Sequence, residues 1–433
     1  MRVQRNALLC LAAAASLTLA AFDGAFAQKY NSRGTPSIGA SRPQGPSGPS
    51  GGGYQGGGGY GGGGWGAAVP GLLMTIPQLV PRRGEVVDDD IIDGAPQGPR
   101  RPPQRTTRRA VSGAPPANER RLIPDEVVIE LSNSISSQTV DALQRRHRLA
   151  RIESQGFQLT GTTMYRWRIP DRRSVATVVR ELEADTVVGS VQPNYRYSLQ
   201  QSEGKSEAKA EGDPAQYELA KLKLPQAHAI AKGNNILVAV IDSGVDGSHP
   251  ELAGAVAQTF DAVETPAAPH RHGTAMAGLI AAHGRLMGAA PAARILAIRA
   301  FDPAGASAEG STFTILKSLD WAVANGARII NMSFAGPSDP AVHRSLAAAR
   351  KKGVVLIAAA GNAGAKSPPL YPAADPNVIA VTATDADDRL FEQSNRGRHI
   401  SIAAPGAQIL VAIPDGGYEV ASGTSYSAAQ VSG

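Results

Sequence analysis

Five apolar runs in the second half of the chain constrain its fold more than any other feature. Each is nearly continuous and has the length of a buried strand: residues 235–242, 294–301, 327–334, 353–362 and 378–384. Stretches of helical character separate several of them, at residues 272–283, 311–325 and 340–352. Apolar strands that alternate with helices are typical of a parallel sheet covered on both faces. We therefore expect an α/β domain with functional residues at the carboxyl ends of its strands.

The beginning of the chain has the features of an export signal. Arg2 and Arg5 precede an apolar run at residues 7–21, and Ala-Phe-Ala at residues 25–27 supplies a cleavage site. The run is too short and too rich in alanine to favour the alternative, an uncleaved membrane anchor. Cys10 is the only cysteine, so the mature chain would have no disulfide. These features predict a signal peptide at residues 1–27, a secreted or periplasmic protein, and no membrane span in the mature chain.

Three segments of different composition follow the signal. Residues 28–118 are rich in glycine and proline and predict a disordered arm, because such a sequence buries too little apolar surface to offset its ordering entropy. Residues 122–199 read as strand, helix, one or two strands, helix and strand, which is the ferredoxin-like α+β plan. Residues 200–216 form a polar linker of a kind that is readily cut. The apolar runs then place the α/β domain at residues 217–433.

The net charge of +6 raises the question of a nucleic-acid partner. The basic residues concentrate in the arm and in one helix-like segment at residues 145–148. We find no zinc-finger spacing, no recognition-helix signature and no RNA-binding motif of the Gly-Phe type. The sequence therefore favours a protein that has no nucleic-acid partner.

Four polar residues stand at the ends of the predicted strands or the starts of the predicted helices. Asp242 ends a strand, His272 begins a helix, Asn362 ends another strand, and Ser425 begins the last helix. A serine hydroxyl becomes a good nucleophile when a base removes its proton, and histidine has a pKa suited to that task. A buried carboxylate orients the histidine, and an amide can donate to an oxyanion. Taken alone, a serine in this position would be interpreted as a helix cap.

The ordered motifs resemble those of the subtilisin-like serine peptidases, the subtilases. The residues that match are Asp242-Ser243-Gly244, His272-Gly273-Thr274, Asn362 after Ala-Ala-Gly, and Gly423-Thr424-Ser425. The resemblance covers about half of the chain. It implies that Asp242 orients His272, that His272 is the general base and acid, that Ser425 is the nucleophile, and that Asn362 donates to the oxyanion. Ser422 and Ser427 would be structural.

The resemblance also implies a substrate cleft and a processing step. One wall of the cleft would be a strand that pairs with an extended peptide, and the other would line the specificity pocket. The implied substrate-binding residues are Ser333, Phe334, Ala335, Gly336, Ala359, Ala360 and Gly361. Residues 122–199 resemble a propeptide whose tail occupies this cleft, so the partners would be protein or peptide substrates and the chain's own propeptide. We expect self-cleavage somewhere within residues 197–216.

Several departures from the family pattern leave alternatives open. Tyr426 stands where methionine is usual, Gln430 where proline is usual, and Ala335 where glycine is usual. The chain also ends eight residues after Ser425 (433 − 425 = 8), where the family usually continues. The alternatives are an inactive subtilase-like fragment that acts as a binding or inhibitory module, and a surface-associating structural protein led by the arm.

The sequence predicts no catalytic metal and no cofactor required for catalysis. His270 and His272 lack the motif of a zinc peptidase, and His270 is interpreted as a loop residue. Structural calcium is common in the family, but its ligands cannot be identified here. The candidate is the acidic loop at residues 385–388, for which a solvated loop is the simpler interpretation.

Overall fold

A computed structural model describes residues 112–200, 215–303 and 308–433. The expected signal peptide, most of the arm and most of the linker lie outside these ranges. Residues 112–118, which the composition assigned to the arm, are described, and Ser112 donates through its hydroxyl to both carboxylate oxygens of Glu183, at 2.8 and 2.7 Å. Residue 112 therefore contacts the N-terminal module.

The N-terminal module, residues 122–199, contains four strands and two helices. In chain order they are β1 (Leu122–Ser132), α1 (Ser137–Arg146), β2 (Ala150–Phe157), β3 (Thr162–Arg168), α2 (Val175–Glu183) and β4 (Ser190–Leu199). The strands pair antiparallel in the order β2-β3-β1-β4, which is the split βαβ plan. Each helix begins after a serine cap, because the side chains of Ser136 and Ser174 accept the amides of Thr139 and Thr177.

The C-terminal domain, residues 215–433, contains the remaining elements. The helices are α3 (Tyr217–Lys221), α4 (Leu224–His228), α5 (Arg271–Ala281), α6 (Thr312–Ala324), α7 (Pro340–Lys351) and α8 (Thr424–Ser432). The strands are β5 (Leu237–Asp242), β6 (Val256–Asp261), β7 (Arg294–Arg299), β8 (Phe301–Asp302), β9 (Glu309–Ser311), β10 (Ile329–Met332), β11 (Phe334–Ala335), β12 (Val355–Ala359), β13 (Ile379–Thr384), β14 (Ile402–Pro405), β15 (Ile409–Ile413) and β16 (Gly417–Ala421).

A parallel sheet of seven strands organises this domain, in the order β14-β13-β12-β10-β5-β7-β6. All five apolar runs supply a strand to it. The two strands that the sequence pattern missed, β6 and β14, are the edges of the sheet. Polar residues interrupt the apolar pattern of β6, and β14 is only four residues long. The predicted α/β fold with a parallel sheet is therefore confirmed.

Alternate residues of the central strands point to opposite faces of the sheet. Ala239 and Ile241 pack in one core cluster with α6 and α7. Val238 and Val240 pack in another with α5 and α8. Burial on both faces explains why these strands are continuous apolar runs rather than alternating ones. Within the described ranges, no helix has the length and apolar character needed to cross a bilayer.

The module and the C-terminal domain share a second sheet. The last residues of β4 pair antiparallel with β9 on one side and with β11 on the other, and β9 pairs with β8. Two of the strands in the parallel sheet, β7 and β10, end earlier than the apolar runs predicted. The chain leaves the parallel sheet at Ala300 and at Ser333, and the residues beyond form β8 and β11. The end of β4 therefore lies inside a groove of the C-terminal domain.

Candidate active site

The four predicted site residues lie where the parallel strands end. Asp242 is the last residue of β5, and Asn362 follows the end of β12. His272 is in the first turn of α5, and Ser425 is in the first turn of α8. Strands β5 and β12 flank β10 in the sheet, so these chain ends face the same region. The structure brings all four predicted residues to one edge of one sheet.

Asp242 and His272 form a buried pair. Nδ1 of His272 lies 2.8 Å from each carboxylate oxygen of Asp242, and both side chains are fully buried. Ser243 supports the carboxylate, since its amide and its hydroxyl both donate to Oδ1 of Asp242, at 2.8 and 2.9 Å. Among the described residues, Nε2 of His272 has no hydrogen-bond partner. A neutral imidazole whose Nδ1 donates to a carboxylate keeps Nε2 free to accept a proton.

Of the three serines near the last helix, only Ser425 faces the groove. Ser422 accepts the amide of Gln408, at 2.9 Å, and Ser427 donates to the carbonyl of Ala404, at 2.9 Å. The Ser425 hydroxyl donates to the carbonyl oxygens of Gln200 and Ser333, the latter at 3.1 Å. It therefore contacts the end of the module and forms no hydrogen bond with His272 within the described chain.

Asn362 is oriented by the residue before the serine. Its Oδ1 accepts the amide of Thr424 at 3.0 Å and the Thr424 hydroxyl at 2.9 Å. Its Nδ2 is buried and has no partner among the described residues. The Thr424 hydroxyl also accepts the amide of Gly361, at 3.1 Å. An amide donor thus stays free beside the N-terminus of α8, where the helix dipole favours negative charge.

The end of the module fills the groove in the manner of an extended peptide. The amide of Gln200 donates to the carbonyl of Ser333, at 3.2 Å, and the side-chain oxygen of Gln200 accepts the amide of Asn362, at 3.0 Å. Leu199 pairs with Phe334, and Ser198 pairs with Ala335 on one side and with Glu309 on the other. We call Tyr197, Ser198, Leu199 and Gln200 the tail.

The predicted cleft residues fall into two groups. Ser333, Phe334 and Ala335 bond or pair with the tail, and Gly336 lies against the ring of Tyr197. The second group lies at and just beyond the end of β12. Ala359 packs into a core cluster, Ala360 donates its amide to Val381, and Gly361 adopts a φ of +107° that favours glycine. The first group is therefore the one in contact with the tail.

Several contributors to the site were not identified from the sequence. β9 is only three residues long and has no apolar periodicity, so nothing in its composition indicates a cleft wall. His270, interpreted as a loop residue, is the N-cap of α5, and its Nδ1 lies 2.8 Å from the Ser243 hydroxyl. Burial lowers the pKa of His270, which favours the neutral ring.

Two of the residues that depart from the family pattern are buried in α8. Tyr426 packs beside His272, with ring centroids 6.3 Å apart, and burial raises the pKa of its hydroxyl. The side-chain amide of Gln430 is buried and has no partner within the described ranges.

The acidic loop at residues 385–388 is paired with cations of the protein. Arg389 contacts the carboxylates of Asp385 and Asp387, and Lys221 contacts Asp388 at 2.7 Å. The Asp385 carboxylate also accepts the amides of Asp387 and Arg389, at 2.9 Å each. No group of three or more possible metal-ligating side chains occurs among the described residues.

Comparison with known proteins identifies relatives of the C-terminal domain. The sequence model described as Peptidase S8, the Subtilase family, matches residues 233–433. Thermitase of Thermoactinomyces vulgaris is 37% identical over 226 residues, which cover 50% of this chain and 80% of thermitase. Subtilisin of Bacillus pumilus is 34% identical over 229 residues, which cover 50% of this chain and 82% of that protein.

Other relatives are longer than the matched region. Subtilisin E of Bacillus subtilis is 35% identical, and the match spans 59% of its length. The crystal structure of fervidolysin from Fervidobacterium pennivorans, described as a keratinolytic enzyme related to subtilisin, superposes with a TM-score of 0.58 at 25% identity. That match covers 72% of this chain and 54% of fervidolysin. Since residues 215–433 are 219 of 433 residues, about half, the superposition also includes part of the chain before residue 215.

Proposed function

Because the chain belongs to the subtilase family of serine peptidases, we propose that it hydrolyses peptide bonds through Asp242, His272 and Ser425. The observation that carries the proposal is the carbonyl of Gln200 held at the Ser425 hydroxyl. A carbonyl group next to the proposed nucleophile supports the proposal, because the attack requires a peptide carbonyl there. The expected substrates are proteins or peptides that bind in extended form between β9 and β11.

The reaction would use groups that the protein already holds. The Ser425 oxygen attacks the carbonyl carbon while its proton passes to Nε2 of His272, and Asp242 stabilises the imidazolium. Nδ2 of Asn362 and the amide of Ser425 donate to the oxyanion. The intermediate then expels the amine, which takes the proton from His272, and leaves an acyl group on Ser425. Water attacks the acyl group by the same route and restores the serine.

We further propose that the first bond cleaved is the one that follows Gln200. The expected range for self-cleavage was residues 197–216, and the register of the tail supports its N-terminal part. The carbonyl that contacts Ser425 belongs to Gln200, and it is part of the peptide bond between Gln200 and the residue after it. The N-terminal module would then be a propeptide that remains in the cleft as an inhibitor, and the export signal would direct the protein to a secreted or periplasmic location.

A comparison of the parent chain with Ser425→Ala tests both proposals. Each protein is followed by intact mass spectrometry and is labelled with a fluorophosphonate, which reacts with activated serines. We expect only the parent to take the label and to split after Gln200. Ser422→Ala is the matched control, because the Ser422 hydroxyl accepts the amide of Gln408 rather than contacting the tail, and it should behave as the parent does.

The same experiment decides the alternative function. An inactive chain whose module only binds or inhibits would show neither label nor cleavage in the parent. Cleavage at another bond, combined with normal labelling, would retain the peptidase and contradict the register of the tail.

A further inference from the structure

The tail defines the position of each substrate residue in the groove. The carbonyl of Gln200 contacts Ser425, so Gln200 is the first residue before the bond to be cleaved. The second, third and fourth residues before that bond are Leu199, Ser198 and Tyr197. Tyr197 also pairs with Gly310 of β9. The backbone of the fourth residue is therefore fixed, and its side chain enters one defined subsite.

This fourth subsite encloses an aromatic ring. The side chain of Tyr197 is buried and meets the ring of Phe334 edge to face, with centroids 5.8 Å apart. Gly336 borders the ring so closely that a Cβ atom at that position would lie 2.4 Å from Cδ1 of Tyr197. A side chain at residue 336 would therefore exclude the ring, so the subsite depends on this glycine.

A buried carboxylate lies at the end of the subsite. The Tyr197 hydroxyl donates to Oδ2 of Asp339, at 3.1 Å, and the Thr312 hydroxyl donates to the same oxygen, at 2.7 Å. With the module in place, Asp339 is only 3% exposed. Its other oxygen, Oδ1, caps α7 by accepting the amides of Ala341 and Val342, at 3.0 and 3.1 Å.

Three of the groups that hold this carboxylate belong to the C-terminal domain, namely the Thr312 hydroxyl and the amides of Ala341 and Val342. The helix cap and Thr312 belong to that domain, so departure of the module would leave them intact. After the tail leaves, Oδ2 of Asp339 would keep the Thr312 hydroxyl as a donor and would lose the Tyr197 hydroxyl. A carboxylate oxygen has room for two donors, and a buried charge that lacks a donor is costly.

We infer that Asp339 makes this peptidase select tyrosine over phenylalanine as the fourth residue before the cleaved bond. A phenylalanine would fill the same space but would cover Oδ2 without donating to it. Sites that hydrogen-bond a substrate hydroxyl discriminate strongly against the analogue that lacks it. The inference rests on the proposed peptidase function and names a substrate preference within it.

The contact between Tyr197 and Asp339 has a second possible role, which is to hold the module on the C-terminal domain. Gln192 of the module donates to Oδ1 of Asp339 at 2.7 Å, and the amide of Tyr195 donates to the Thr312 hydroxyl at 2.9 Å. Asp339 would then serve only to hold the module. Short peptides lack the residues that correspond to Gln192 and Tyr195, so their cleavage reports on the subsite alone.

The test uses the self-processed protein after removal of the cleaved module. Three fluorogenic peptides carry Ser-Leu-Gln before the scissile bond and tyrosine, phenylalanine or alanine as the preceding residue. We expect kcat/KM for the tyrosine peptide to exceed that for the phenylalanine peptide by roughly tenfold or more, as for a hydrogen bond to a charged group. A ratio below about two, against that expectation, overturns the inference.

Two variants identify the residue responsible. Asp339→Ser keeps a good helix cap but lacks the second oxygen, so it should bring the ratio of kcat/KM for the tyrosine and phenylalanine peptides close to one. Gly336→Ala is the matched steric control and should reduce cleavage of both aromatic peptides relative to the alanine peptide. A tyrosine preference that persists in Asp339→Ser overturns the role of Asp339.

The outcomes also separate this inference from the proposed function. A protein that neither takes the fluorophosphonate label nor cleaves any peptide contradicts the peptidase itself. A labelled protein that cleaves the alanine peptide without preferring tyrosine retains the peptidase and overturns only the inference. The preference for tyrosine over phenylalanine is measured on the parent protein, so the inference can be tested even if a variant fails to fold.

Discussion

The side chains of His272 and Asn362 share one arrangement at the scale of the residue. Each is fixed through one polar atom, Nδ1 of His272 on Asp242 and Oδ1 of Asn362 on Thr424. Each presents its other polar atom, Nε2 or Nδ2, buried and without a partner among the described residues. A buried group without a partner is costly to the folded state. Here the cost falls on the two atoms that the proposed reaction would use.

Thr424→Val tests whether Thr424 acts through Asn362. Valine keeps the shape of the side chain and the backbone amide that holds Oδ1, but it lacks the hydroxyl. We expect kcat to fall by about tenfold with KM nearly unchanged, and Asn362→Ala to lower kcat by roughly 100- to 1,000-fold, as for loss of an oxyanion donor.

Steady-state kinetics on one peptide substrate provides the measurement for this pair. If Thr424 works by orienting Asn362, the double variant should be no slower than Asn362→Ala, because residues in one network are not additive. Additive losses would instead assign Thr424 an independent role.

The elements that could be predicted from the sequence are those with a signal in their own residues, either an apolar run or a capping serine. The central strands appear as apolar runs, and Ser136, Ser174 and Ser311 mark the starts of helices because their hydroxyls cap the first turn. Edge strands and β9 could not be predicted, since their pairing depends on partners distant in the chain. The same is true of Asp339, which reads as a helix cap and whose contact with Tyr197 spans 142 residues.

Helix α3 carries a buried carboxyl that predicts a dependence of stability on pH. Glu218 is 2% exposed, and its Oε2 has no partner among the described residues. Burial raises the pKa of Glu218 from 4.5 to about 7. The folded state therefore keeps a proton that the unfolded state releases from about pH 4.5 upward. The contribution of Glu218 to stability should therefore be greatest at low pH, fall as pH rises to about 7, and then level off.

Glu218→Gln should remove this dependence. At pH 8 the variant should be more stable than the parent by up to about 3 kcal/mol, the order expected for such a shift, and at pH 4 the two should be similar. The measurement is denaturant unfolding in the Ser425→Ala background, which prevents self-digestion. If the stability of the parent increased more steeply than that of the variant between pH 5 and pH 7, burial would not raise the pKa of Glu218.

At the scale of the whole molecule, charged contacts join the module to the C-terminal domain. Lys317 of α6 is nearly buried and contacts Glu153 of β2, at 2.9 Å, as well as Glu264. Arg344 of α7 contacts Glu130 of β1. The amide of Leu159 donates to Asp320, at 2.7 Å. These contacts do not involve the tail, so they would persist after the bond at Gln200 is cut.

Glu153→Gln should loosen the cleaved module without changing the cleavage itself. The substitution leaves the buried Lys317 with one carboxylate instead of two, and we expect the module to dissociate several-fold faster, in line with about 1 kcal/mol for a partly exposed pair. The dissociation rate is followed by native mass spectrometry of the processed complex. Asp141→Asn is the control, because the pair of Asp141 with Arg151 is exposed and internal to the module. Equal rates in the two variants would exclude a role for Lys317 in retention.

The pairing of β4 with both β9 and β11 has a consequence in time. A cut after Gln200 leaves the product strand hydrogen-bonded on both sides, so the first turnover would yield a molecule that is still blocked. The first few molecules to lose their module could degrade the modules of the others. Activity in a fresh preparation should therefore begin after a lag and then accelerate, and the lag should shorten as the protein concentration rises. A trace amount of already active protein should abolish the lag.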